Sequence, residues 1–299
     1  MPLKIPILFL TFNRPSTTAR VFHEIAQIKP EKLFIACDGP RDNHKQDSIS
    51  IANVKKIILE IPWHCEVKTL FRDTHLGCKL AVSNAINWFF ENVEEGIILE
   101  DDCLPNKSFF NFCQELLHYY KNDKNIMHIG GTNFQIGQIK KTDSYYFSRY
   151  NHVWGWATWK RAWKYYDIEM KTWPETLKNN WPLWGIKKDE ADYWEKRFQE
   201  VFSEKINTWD YQWTYACWKN HGLSIIPEKN LVANIGFGSK SAHTKNKRDP
   251  AANLSTQEII FPLRHPLKKE VDATADNYTY KTHFNPNLYQ KIKRIFKRY

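Results

Sequence analysis

The sequence predicts an α/β protein built on an open, mostly parallel sheet flanked by helices. Three observations predict it. Short apolar runs alternate with segments of helical periodicity as far as residue 102, the pattern of a parallel sheet with helical crossovers. Polar loops follow these runs, and the alternation puts those loops at one common edge. Three successive carboxylates, Glu100, Asp101 and Asp102, stand directly behind the apolar run Gly96–Leu99, at the carboxyl end where such sheets open their ligand crevice.

Taken in order, Ile5–Thr11, Leu33–Cys37, Val67–Phe71 and Gly96–Leu99 read as strands, with Thr17–Ile28, Ser48–Ile61 and Cys78–Val93 as the helices between them. Each crossover is long enough to return right-handed. The first run is strand-sized, far from the about 20 apolar residues needed to cross a bilayer. It lacks a cationic leader and a small-residue cleavage site, so it is expected to be a core strand and not a signal peptide.

The second half changes character, with eleven of the 13 tryptophans between Trp154 and Trp218. Helices are expected over Lys160–Tyr166, Glu190–Phe202 and Asp210–Asn220, the last closed by Gly222, and strands over Leu223–Ile226 and Leu231–Ile235. After Lys245 the chain is polar and carries Pro250, Pro262, Pro266 and Pro286, as a segment wrapping the domain in extended form would. In the last stretch Leu288, Ile292, Ile295, Phe296 and Tyr299 share one helical face, with five basic residues on the others. Such a helix suits an anionic membrane surface or docking on the protein's own body, and the pattern supports both. The expected organisation is a catalytic domain over 1–245, with a nucleotide-sugar half to 135 and an acceptor half from 136, then a basic tail over 246–299.

Hydrophobic content of 42% in 299 residues supports a packed core. The net charge of +10 is uneven, because eleven Lys and Arg against five Asp and Glu from residue 246 onward give the tail +6. Aromatic and basic residues are segregated, which argues against a nucleic-acid partner. Six cysteines without C-x-x-C or zinc spacing read as reduced thiols. The expected location is the cytoplasm, peripheral at the inner face of the membrane if the last helix binds lipid.

The loops Asn13-Arg14-Pro15, Asp38-Gly39-Pro40-Arg41 and Arg72-Asp73-Thr74-His75 join the acidic triplet at the same edge. Together they offer cations for phosphate, an acid for base or ribose, and hard oxygens for Mn²⁺ or Mg²⁺. The competing reading of the triplet is an acidic turn capping the next helix.

In this order and context, Phe12-Asn13-Arg14, Ala36-Cys37-Asp38-Gly39, Ile98-Leu99-Glu100-Asp101-Asp102, Trp154-Gly155-Trp156 and Trp209-Asp210-Tyr211-Gln212-Trp213 resemble the GT-A-fold glycosyltransferases. N-acetylglucosaminyltransferase I and its bacterial relatives are the nearest in pattern, over residues 4 to 245. The resemblance implies a metal-dependent, inverting hexosyl- or N-acetylhexosaminyltransferase. Its donor would be a nucleotide sugar, UDP-linked and such as UDP-GlcNAc, and its acceptor a hydroxyl of a glycan or lipid-linked glycan in bacterial polysaccharide assembly. It implies that Asp102 binds Mn²⁺ and that Glu100 and Asp101 shape the site and contact ribose or donor sugar. Arg14 and Asp38 match nucleotide-contact positions, Asp38 at the imide of uracil, with Lys79, Arg72 and His75 near a further one.

Inversion needs a carboxylate on the far face of the sugar to deprotonate the acceptor hydroxyl. Asp210 is the candidate, standing where the family has paired acids and this chain has Asp210-Tyr211-Gln212; its other reading is a helix N-terminal residue facing the macrodipole. His243, in the small-residue loop from Gly236, is a candidate metal ligand or a solvated histidine. That loop has no P-loop spacing. Trp154 and Trp156 are candidate sugar platforms, whereas Trp159 and Trp163 read as structural.

Two other functions compete. A sugar-nucleotide nucleotidyltransferase would share the sheet and the metal carboxylates but calls for a Gly-rich loop where this chain has Thr11-Phe12-Asn13-Arg14-Pro15. A non-catalytic carbohydrate-binding protein would use the aromatics without the charged constellation. A glycoside hydrolase is set aside, because Asp101 and Asp102 on an extended chain would point apart and not form a facing pair.

Overall fold

A computed structural model of the chain describes residues 3–135, 137, 142–179, 185–238, 249–252 and 254–286. The first seven elements follow one another as the alternation predicts: β1 (Ile7–Thr11), α1 (Pro15–Ile28), β2 (Lys32–Cys37), α2 (Lys45–Leu59), β3 (Glu66–Phe71), α3 (Gly77–Asn92) and β4 (Glu95–Glu100). All of β1 and residues Gly96–Leu99 are buried, because helices cover both faces of a parallel sheet. Pro15 sits in the first turn of α1, where its missing N–H has no intrahelical role and its fixed φ favours the helix.

Strands β3, β2, β1 and β4 lie side by side in parallel. The chain leaves β1 toward β2 and β3, then returns to the other side of β1 as β4. Between β1 and β4 the winding direction therefore reverses, and a crevice opens beyond their carboxyl ends.

The remaining elements are β5 (Cys103–Pro105), α4 (Lys107–Tyr119), β6 (Ile126–Gly130), β7 (Tyr145–Ser148), β8 (Trp156–Trp159), α5 (Lys160–Trp163), α6 (Trp173–Lys178), α7 (Lys188–Phe202), α8 (Asp210–Lys219), β9 (Leu223–Pro227), β10 (Val232–Asn234) and α9 (Ala273–Thr279), with a π-helical turn over Tyr280–Phe284. The sheet continues from β4 through β8, β6 and β9 to β7. Strand β8 runs antiparallel to both β4 and β6, and β7 runs antiparallel to β9. The expected class, an α/β fold with an open and mostly parallel sheet flanked by helices, is what the structure shows.

Helix α4 was not among the expected elements, yet its signal is plain. Asn106 accepts a hydrogen bond from Phe109 N at 3.1 Å as N-cap, and Phe109, Phe110, Phe112, Cys113, Leu116 and Leu117 form its buried face. The end of α8 differs in detail from expectation. The left-handed residue is His221, at φ 52°, and Gly222 follows it, donating to Cys217 O at 2.8 Å. This is a Schellman closure with a non-glycine at its left-handed position.

Residues 249–252 and 254–286, assigned from the sequence to the tail, contribute to the body of the fold. Ile259 and Leu263 pack in the core on one side of the sheet and Tyr280 on the other. Asp276 is buried and accepts from Ser148 Oγ at 2.5 Å and Arg149 N at 3.0 Å. Among the described residues no helix is long and apolar enough to cross a membrane. The amphipathic stretch from Leu288 to Tyr299 lies outside the described residues.

Candidate active site

Arg14 leaves the end of β1 just as α1 begins, and its side chain crosses to the turn after β4. Its Nη2 lies 2.5 Å from Asp101 Oδ1 and its Nη1 2.7 Å from Asp102 Oδ2. Asp101 also accepts from Phe12 N at 3.2 Å, tying the two strand ends together. Asp101 and Asp102 occupy a turn and reach the same guanidinium. The expectation that they point apart on an extended chain is corrected by that turn, which cancels the alternation of an extended strand.

Three carboxylates here face one guanidinium. Burial alone would lower Arg14, but the charges of Asp101 and Asp102 outweigh it and hold the guanidinium above its ordinary range. Burial pushes Glu100 up, and the neighbouring charge of Asp102 adds to it. Burial also raises Asp101, against the opposing pull of Arg14.

Strand β10 pairs antiparallel with β5, Asn234 opposite Cys103, and Ile235 N donates to Asp102 O at 2.8 Å. This pairing lays Gly236 against the triplet so closely that a Cβ there would collide with the Asp102 carboxylate. His243, seven residues on, lies outside the described residues.

Asp38, after β2, is buried at 6% exposure and serves the loop that starts α3. Its Oδ1 accepts from Gly39 N and Leu76 N, both at 3.0 Å, and its Oδ2 from Gly77 N at 3.1 Å, with His75 Nδ1 at 2.8 Å. Both oxygens are thus engaged by the protein itself, whereas the resemblance implied a nucleobase contact. Asp38 and His75 nonetheless line the crevice.

That crevice is a cavity of about 520 Å³, with Arg14, Asp38, His75 and the acidic triplet in its wall. A second cavity of about 420 Å³ adjoins it and is walled mainly by aromatic side chains, Phe284 of the π-helical turn among them. Val153, Trp154, Asp210 and Tyr211 line both. Asp210 is the first residue of α8, and Trp154 belongs to the loop before β8. The Asp210 carboxylate accepts from Thr208 Oγ1 and from Tyr211 N, in both cases through Oδ1.

Three expected site residues stand elsewhere. Arg72 does not line the cavity, and Lys79 turns to Glu204, 3.6 Å away. Trp156 is 1% exposed and stacks between His128 and Trp209, with ring centroids at 5.1 and 5.8 Å. It is core and not a platform, because as a residue of β8 it projects into the packing beneath α8.

Among the residues of these cavities that were not individual candidates from the sequence are Arg41 and Asn151. Arg41 lines the first cavity, held by Asp47 at 2.6 Å and with its guanidinium 5.6 Å from the Phe12 ring centre. Its signal was its place in the loop after β2. Asn151 lines the second cavity, and nothing local in sequence marks it.

No family model matches the chain, and no curated protein matches it. Among solved structures it is similar to UTP-bound UGPase from Acinetobacter baumannii, at TM-score 0.38 and 7% identity over 77% of this chain and 88% of that one. It is also similar to 4-diphosphocytidyl-2C-methyl-D-erythritol synthase from Anaerococcus prevotii DSM 20548, at TM-score 0.32 and 7% identity over 68% and 84%. A third is the inositol-1-phosphate CTP transferase from T. maritima, at TM-score 0.30 and 7% identity over 54% and 73%. At these values the likeness is one of general α/β layout.

Proposed function

We propose that this chain is an inverting glycosyltransferase that takes a sugar from a nucleoside-diphosphate donor, UDP-linked, in the first cavity and passes it to a hydroxyl presented from the second. The observation that supports this reading is the position of Asp210. It stands where the charged and the aromatic cavities join, with the described hydrogen bonds of its carboxylate confined to Oδ1.

In the reaction the acceptor oxygen attacks the anomeric carbon, the bond from that carbon to the diphosphate oxygen breaks, and the electron pair leaves with the diphosphate. Asp210 Oδ2 takes the acceptor proton, while Thr208 and the Tyr211 N–H steady Oδ1. Arg41 supplies fixed positive charge beside the donor, and Trp154 offers a ring face where donor and acceptor sugars meet. The carboxylates fit a divalent ion: three carboxyl groups, with six hard oxygens between them, face the one guanidinium of Arg14. Among the described residues no three His, Cys, Asp or Glu side chains form a ready-made cage, as suits an ion that uses one or two carboxylates and completes its shell with phosphate. Asp102 would hold Mn²⁺ or Mg²⁺, which when bound supplies positive charge to the leaving diphosphate.

The second reading is nucleotidyl transfer, the activity named for the UGPase-like and CTP-transferase structures. It shares a nucleotide sugar in the first cavity but leaves the second cavity and Asp210 without a task. A thermal-shift panel of UDP-, GDP-, dTDP- and CMP-sugars, each with Mn²⁺ and with chelator, tests donor binding. A rise in Tm with one class of nucleotide sugar, larger with Mn²⁺, is expected. No rise with any of them contradicts both readings.

A further inference from the structure

Residues 257–269 run as a strap along α4, fastened at intervals over its whole length. Asn106, the N-cap of α4, donates from its side chain to Gln257 O at 2.8 Å. Ile259 N donates to Ser108 Oγ at 3.2 Å and Leu263 N to Glu115 Oε1 at 3.4 Å. The His265 ring stacks on Tyr119 with centroids 4.1 Å apart, and Lys269 Nζ reaches Asp123 at 2.5 Å just past the helix end. Ile259 and Leu263 are buried, as side chains that anchor a strap must be. Ile260 is instead 81% exposed, Phe261 36% and Leu267 fully so, and the Tyr119 ring beneath is 57% exposed. Four large apolar side chains gathered on one strap and the helix under it exceed the scattered single residues of an ordinary surface.

We infer that this strap is a contact surface for an anionic lipid bilayer, with Ile260 and Leu267 entering the acyl boundary. The charges select that occupant. Arg264, Lys268 and Lys269 are exposed on either side of Leu267. The contact of Lys269 with Asp123 brings it to the turn that carries exposed Lys121 and Lys124. Five cations thus stand at this end against Asp123 and Glu270, while Glu115 and Glu258 lie farther back, beside Leu263 and Ile259. A helix C-terminus attracts cations for its own sake, but here Arg161 takes the carbonyls of Tyr120 and Lys121, at 2.9 Å each. An acidic protein would answer the lysines and leave the aliphatic side chains wet, and a second copy would bring the same positive charge against them. Anionic lipid answers both, with phosphate for the cations, hydrocarbon for Leu267 and Ile260, and a headgroup layer for the Tyr119 ring. The inference does not depend on the transfer reading, and its residues are distinct from the amphipathic stretch at the carboxyl end.

The test is sedimentation of the full chain with vesicles of phosphatidylcholine alone and of phosphatidylcholine and phosphatidylglycerol in equal parts. Binding to the mixed vesicles is expected, with little to the neutral ones, and it should weaken at about 1 M salt, where the screening length falls to about 3 Å. The double variant Ile260→Ser/Leu267→Ser is expected to partition about tenfold less, because it removes the apolar area that the bilayer would bury. Lys268→Glu should lose about tenfold as well, and only on the mixed vesicles. The Tm of both variants is expected to stay level, since the replaced side chains are exposed. Absence of binding to mixed vesicles, equal binding to neutral ones, or undiminished partition of the double variant overturns the proposal. A concentration-dependent dimer in analytical ultracentrifugation that the double variant abolishes gives the strap to a second copy and overturns it too.

Discussion

Arg14 and Asp102 meet across the point where the sheet reverses its winding, Nη1 to Oδ2 at 2.7 Å, and the same guanidinium holds Asp101 with its other terminal nitrogen. One side chain from the end of β1 thereby keeps the turn after β4 in place. It also leaves the triplet with more negative charge than the protein balances.

Removing that guanidinium strands the carboxylates. Arg14→Met is expected to destabilise the chain by about 3 kcal/mol at pH 7, the magnitude for breaking a buried pair from one side, and to abolish nucleotide-sugar binding. Urea unfolding gives the first quantity and calorimetry the second; a loss under about 0.5 kcal/mol would mean the fork is ornamental.

Gly236 protects the same carboxylate by having no side chain. Gly236→Ala places a methyl where Asp102 now lies, so Asp102 must swing out of its fork, at a cost of roughly 1–3 kcal/mol. Mn²⁺-dependent donor binding should fall with it. Wild-type donor affinity in this variant would show that Asp102 has no part in the site.

Asp210→Asn keeps the shape of the junction and removes the proposed base. Turnover is expected to drop by about 10²- to 10⁴-fold with donor affinity unchanged, read from initial rates and calorimetry on the same preparation. Undiminished turnover assigns the base elsewhere.

Deep beneath the junction, His128 donates from Nε2 to His152 O at 3.1 Å and accepts at Nδ1 from Trp213 Nε1 at 3.2 Å. Both ring nitrogens are used by the neutral form, and burial lowers the group to about 3. The unfolded value is near 6.5, so the unfolded chain binds the proton first as pH falls. The stability this neutral imidazole confers is complete above about pH 6.5 and is lost toward pH 3, by about 1.4 kcal/mol per pH unit. His128→Gln should narrow the difference in unfolding free energy between pH 7 and pH 4 by about 3 kcal/mol. Equal pH profiles for variant and wild type would contradict this.

The first half of the fold was legible because aliphatic runs bounded by polar loops locate β1 to β4, and strand ends locate Arg14 and Asp102 with them. The insertion of β8 between β4 and β6 was not, since pairing between distant antiparallel strands leaves no local period, and Trp-rich stretches fit strand, helix and core alike. The same limit explains Trp156, Arg72 and Lys79: their chemistry was readable, but the direction of each side chain is decided by packing. Asp38 clamps backbone N–H groups of residues nearly forty positions away, and Asn151 stands out only because its carboxamide has no hydrogen-bond partner among the described residues. Both are properties of the assembled fold.

The most direct test follows the products of purified chain incubated with UDP-sugar, Mn²⁺ and a saccharide acceptor by ³¹P NMR. Release of UDP that requires the acceptor and vanishes in Asp210→Asn is the predicted result. Synthesis of UDP-sugar from UTP and sugar phosphate, with pyrophosphate released and Asp210→Asn fully active, would contradict the account.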